Sequence, residues 1–127
     1  MKRDMDLVRN LLLKLEDLEQ GAGSIYMYEY SELVVDGYTE DQVIYHLDLL
    51  VEAGLIDQGG TGALSEFMFK RLTWEGHDFA DSVRSEEIWQ RARKGALAAG
   101  GFSIELIGDL AKGFIRKKAA ELTGIEL

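Results

Sequence analysis

The chain has 127 residues, 46% hydrophobic and 29% charged, the balance of one globular domain able to bury a core; without cysteine it has no disulfide, thiolate metal site or cysteine nucleophile. No N-terminal signal pattern and no apolar run of about eighteen residues occurs, so a cytoplasmic protein without a membrane span is expected. The net charge of −9 is uneven: residues 1–84 hold 7 Lys/Arg against 17 Asp/Glu, giving −10, and residues 85–127 hold 7 against 6, giving +1.

Residues 4–19 place Val8, Leu11, Leu12, Leu15 and Leu18 on one helical face, with Asp4 and Asp6 at its N-terminus. Gly21, Ala22 and Gly23 end this helix, and Ile25-Tyr26-Met27-Tyr28 reads as a strand. Glu29 to Tyr38 fits a short helix, a second extended piece or a loop equally well. Thr39 with Gln42 three residues on is a capping box, opening a helix from about Glu40 to Ala53 through Val43, Leu47 and Leu50. Gly54 follows as a left-handed cap and Leu55-Ile56 starts a strand. Gly59-Gly60-Thr61-Gly62 makes a flexible tip, and residues 66–72 return as the second strand of a hairpin. Thr73 caps a helix containing Trp74, Phe79, Ala80 and Val83. Ser85 caps another, through Trp89 and Ala92, with Arg91, Arg93 and Lys94 towards its C-terminal end. Gly100 and Gly101 break it, and Ser103 opens a last amphipathic helix with Ile104, Ile107, Leu110, Phe114 and Ile115 on its apolar side.

Helix, strand, helix, glycine-tipped hairpin and helix is the order of a winged-helix domain, a helix-turn-helix variant. The expected fold is therefore α+β, with a winged-helix part over residues 1–84 and a helical extension over 85–127 within one domain. Val43 to Ile56 resembles the end of the recognition helix and the first wing strand of bacterial winged-helix regulators, and Leu72-Thr73-Trp74-Glu75-Gly76 resembles the junction that follows their wing. Over nearly the whole chain, the opening Met1 to Arg9, Gly37-Tyr38-Thr39 with Tyr45-His46-Leu47, and Leu72 to Phe79 resemble the bacterial and prophage domain of unknown function family 2513. That resemblance implies the fold and a phage or mobile-element setting, and implies no activity or functional residues.

On the central helix, at about 100° per residue, the face opposite Val43, Leu47 and Leu50 is centred on Asp41, Tyr45, Asp48 and Glu52, flanked by Gln42 and Leu49. It carries three carboxylates and no cation, which disfavours DNA, since duplex binding draws much of its affinity from neutralised phosphates. The other readings are a solvated helix surface and a protein-docking face with Tyr45 and Leu49 as apolar anchors, whose partner would be basic. Bound DNA would have to use Lys2, Arg3, Lys70, Arg71, Lys112, Arg116, Lys117 and Lys118 instead, on a surface completed in a dimer.

Thr73, Trp74, Glu75, Gly76 and His77 are read as structural: Trp74 packs the wing against the next helix, Gly76 permits close approach and His77 is half-exposed. Two histidines without helical His-x-x-x-His spacing give no metal site. Adjacent carboxylates such as Glu40-Asp41 diverge on a helix, and no nucleophile motif, phosphate loop or cofactor fingerprint occurs. No enzyme and no cofactor are expected. The C-terminal helices are read as packing elements, as a homodimer interface or as a membrane-surface helix, with the membrane least favoured. Gly108 and Gly113 within the last helix point to close contact with another element, because glycine there costs about 1 kcal/mol relative to alanine.

Overall fold

A computed structural model describes residues 1–19, 21–60, 62 and 64–127; it is α+β, with five α-helices and two small antiparallel sheets among those residues. The chain forms two compact units, Met1–His77 and Asp78–Leu127. The first holds 6 Lys/Arg against 15 Asp/Glu and the second 8 of each, so the whole net charge of −9 belongs to the first unit.

In the first unit, α1 (Met5–Leu18) starts at Asp4, whose carboxylate accepts from the Asp6 and Leu7 N–H groups. Its apolar stripe of Leu7, Val8, Leu11, Leu12 and Leu15 is buried, and the helix packs on α2 (Glu40–Glu52). The capping box is present at α2: Thr39 Oγ1 accepts from the Gln42 N–H and Gln42 Oε1 accepts from the Thr39 N–H. Gly54 follows α2 at φ +74°, a left-handed turn that a side chain would strain. The segment that sequence left open contains a single 3-10 turn, Tyr30–Leu33, which seats a fully buried Leu33 against α2.

The expected hairpin forms at its base, between residues 56–57 and 71–72, and the rest of the returning run pairs elsewhere. β1 (Tyr26–Glu29) pairs antiparallel with β3 (Glu66–Phe69), while β2 (Ile56–Asp57) pairs with β4 (Arg71–Leu72). The run 66–72 is thus divided at Lys70, whose N–H donates to the Asp57 carbonyl, and its two halves face different neighbours. Within the first ladder Tyr26 and Tyr28 lie 5.4 and 6.3 Å from the Phe69 ring, so the half-buried side of β1 is built from cross-strand aromatics. Of the expected glycine tip, Thr61 lies outside the described residues.

α3 (Trp74–Val83) runs from the first unit into the second, where α4 (Glu86–Ala99) packs along α5 (Ile104–Thr123). Ser85 and Ser103 cap these helices, accepting from the Ile88 and Leu106 N–H groups. Ile88, Trp89, Ala92 and Ala96 of α4 and Ile107 and Ala111 of α5 are buried. Arg91, Arg93 and Lys94 do not reach the end of α4: the helix continues to Ala99 and its last turn holds no basic residue, so they complement no C-terminal dipole. Arg91 instead lies over the Phe114 ring at 5.9 Å.

Gly108 and Gly113 do not share the expected close contact. A methyl group on buried Gly108 would sit 3.8 Å from Phe79, an ordinary contact, and one on exposed Gly113 would meet nothing within 4 Å. Ile115, assigned to the apolar side of the last helix, is 40% exposed.

Candidate functional site

The outer face of α2 divides between a groove and open solvent. A groove of about 390 Å³ is lined by Asp41, Ile44, Tyr45, Asp48 and Val51 of α2, with Tyr30, Phe67, Gln58 and Met1 opposite. Asp41 and Asp48 lie one helical turn to either side of Tyr45, so half-exposed apolar surface is flanked by two carboxylates. Glu52 is exposed and Leu49 half-buried, both outside the groove, and Gln42 holds its side-chain oxygen in the Thr39 cap. Among the described residues, Asp41, Asp48 and Glu52 have no ion-pair partner.

Trp74 does not pack the wing against α3; it is 85% exposed, because the first position of α3 points its side chain away from the core. Closure of the junction after β4 falls to its neighbours. Thr73 Oγ1 donates to the Gly54 carbonyl at 2.6 Å and accepts from the Gly76 N–H at 3.0 Å, and the Thr73 N–H donates to the Leu55 carbonyl. Gly76 lies so close to that carbonyl that a Cβ would overlap the Leu55 oxygen. His77 is half-exposed with Nδ1 3.3 Å from Glu16 Oε2, and Glu75 is exposed.

The basic residues are divided between the units: Lys2, Arg3, Lys70 and Arg71 belong to the first, and Lys112, Arg116, Lys117 and Lys118 to the second. Arg71 pairs with Asp57 at 3.8 Å and Lys112 with Asp78 at 2.7 Å. Lys117 and Lys118 are exposed beside Arg116 on α5.

One cluster escaped the sequence reading. His46 is buried, with Nε2 accepting from the Asp4 N–H at 2.8 Å and Nδ1 donating to the Gln42 carbonyl at 2.7 Å. Both partners are backbone groups of fixed polarity, which places the proton on Nδ1 and leaves no lone pair for a metal. Tyr38 Oη donates to Asp4 Oδ2, so Asp4 joins the start of α1, the approach to α2 and α2 itself. Among the described residues no three His, Cys, Asp or Glu side chains are grouped to hold a metal, and no helix is long and apolar enough to cross a membrane.

Residues 2–103 match the family described as hypothetical protein (DUF2513). The chain belongs to the DUF2513 family. It is also similar to a protein of Haemophilus influenzae described as uncharacterized, at 38% identity over 94 residues, covering 70% of this chain and 73% of the other. No solved structure matches it. In this DUF2513 chain the matched part ends at Ser103, the residue that caps α5. Two of the stretches that carry the resemblance meet at the Asp4, Tyr38 and His46 cluster, and the third forms the Thr73 to His77 junction.

Proposed function

We propose that this DUF2513 protein is a non-catalytic interaction module of winged-helix type that binds a basic protein surface through the α2 groove. The order of α1, β1, the 3-10 turn, α2, β2, the divided return strand and α3 supports the winged-helix assignment. On this reading β3, paired with β1, and β4, paired with β2, stand for the two halves of one wing strand, and α2 is taken as the counterpart of the recognition helix. The observation that carries the function is the exposed, unpaired pair Asp41 and Asp48 around Tyr45 on a unit with the full charge of −9. Phosphates are repelled by such a face, whereas a partner offering Lys or Arg around an apolar anchor is steered towards it. A cytoplasmic, phage or mobile-element setting, carried by the resemblance and not by geometry, completes this reading.

A second reading, a dimeric DNA-binding regulator, is favoured by the free cations: Lys2, Lys70, Arg116, Lys117 and Lys118 have no ion-pair partner among the described residues. One experiment separates the two. The protein is titrated with mixed duplex DNA over a salt series, and with an amphipathic lysine–leucine peptide, while its mass is measured by sedimentation. The interaction module leaves the duplex free at low salt and binds the peptide saturably, with binding lost in the Asp41→Asn/Asp48→Asn double variant. Steeply salt-dependent duplex binding by a dimer, indifferent to those substitutions, refutes it.

A further inference from the structure

The tryptophan at the head of α3 has neither a packing nor a helix-forming reason to be where it is. Trp74 is 85% exposed on the wall of an open cup of about 660 Å³, lined also by Asp57, Arg71, Leu72, Thr73 and His77, all within the first unit. Tryptophan is a middling helix former, and its indole leaves on the order of 150–250 Å² in water that burial elsewhere would have removed. An indole face held open among polar groups is a surface for a flat or cationic guest, and tryptophan is among the residues that dominate binding energy at interfaces.

The charges around the cup decide the sign of that guest. Arg71 and Asp57 neutralise one another across 3.8 Å, and His77 is engaged with Glu16. Glu75, the next residue along α3 and outside the lining, is exposed and has no ion-pair partner among the described residues, so it adds an unbalanced negative charge to the helix that carries the indole. A phosphate or carboxylate would meet that excess and the field of the −9 unit behind it. A guanidinium or ammonium would be drawn by the indole face and, at longer range, by the Glu75 carboxylate and the field of the −9 unit.

The geometry points to the Trp74 cup as a docking site for an arginine or lysine side chain of a basic protein partner. The inference deepens the proposed function, on whose basic partner it rests, and adds a second contact to the α2 groove. Asp57 lines the cup and the next residue, Gln58, lines the groove, as the alternation of an extended chain requires, so the two sites flank the end of β2.

The test titrates ¹⁵N-labelled full-length protein with N-acetyl-arginine methylamide and, separately, with N-acetyl-glutamate methylamide. The readout is the indole Nε1–H resonance of Trp74, told from that of Trp89 by the Trp74→Phe variant. The arginine probe is expected to move this resonance saturably and the glutamate probe to leave it in place. Glu75→Gln is expected to weaken the arginine probe by about two- to fivefold, the size of one exposed cation–π or ion-pair contribution. No shift, equal shifts by both probes, or undiminished affinity in Glu75→Gln overturns the proposal. The lysine–leucine peptide, titrated in the same way, separates it from the α2 reading through the Tyr45 and Asp48 amides. Peptide shifts confined to those amides retain the groove and overturn the cup; shifts confined to Trp74 retain the cup and overturn the groove. A Trp74 shift on raising protein concentration alone, with a doubled mass, makes a second copy the occupant and overturns the proposal.

Discussion

Replacing Gly76 by alanine sets helix propensity directly against sterics. Propensity favours alanine within a helix by about 1 kcal/mol. Against that, the new methyl would overlap the Leu55 carbonyl oxygen and crowd Leu72 Cβ at 3.3 Å, and overpacking of this kind costs about 1–3 kcal/mol. The shift that relieves it pulls Thr73 from two acceptors, the Leu55 carbonyl for its N–H and the Gly54 carbonyl for its hydroxyl, each worth about 1 kcal/mol. The net is a loss of about 2–4 kcal/mol, a large part of the roughly 5–15 kcal/mol that holds an ordinary domain folded. Urea unfolding followed by far-UV circular dichroism measures it, with Gly113→Ala on α5 as the control. Gly113 has open space around it, so the same substitution there is expected to raise stability by about 0.5–1 kcal/mol. A Gly76→Ala protein as stable as the wild type would refute the assignment of Gly76 to close approach.

Three further outcomes follow from the same structure. Trp74→Ala is expected to change folding stability by less than about 0.5 kcal/mol because the side chain lies in water; a loss above about 2 kcal/mol in the same urea titration would return it to the core. His46→Ala is expected to cost about 3 kcal/mol, since it opens a cavity and leaves the Asp4 N–H and the Gln42 carbonyl without their partner; a cost under about 1 kcal/mol would remove the ring from that role. Thr39→Ala removes the hydroxyl that accepts from the Gln42 N–H, leaving the residue-39 N–H bond to Gln42 Oε1 in place, and is expected to lower stability by about 1 kcal/mol; an unchanged unfolding midpoint would count against the cap.

What the sequence revealed was local. The periods of α1, α2 and α5, the caps at Asp4, Thr39, Ser85 and Ser103, and the left-handed Gly54 depend on residues a turn or two apart. The division of residues 66–72 at Lys70 was hidden because a β-rich run reads alike whether its whole length faces one strand or its halves face two. Trp74 was assigned to the core because large aromatics at strand–helix junctions usually go there, and the position that points outward is set by how β4 enters α3. The acidity of the α2 face was legible from spacing alone. That Ile44 and Val51 share a groove with Tyr45 was not, since Tyr30 and Phe67 form its opposite wall from distant parts of the chain. His46 could have been noticed as a polar residue beside the apolar stripe of α2, but its partner lies 42 positions away.

Asp4 engages three parts of the first unit through its own atoms: one carboxylate oxygen holds the start of α1, the other receives the Tyr38 hydroxyl, and its amide points at His46. That amide proton faces a ring nitrogen of a buried side chain rather than water, so it exchanges with deuterium only when the head of α1 parts from α2. The lifetime of a single proton therefore clocks the opening of a junction assembled from residues 4, 38 and 46, without any label being added.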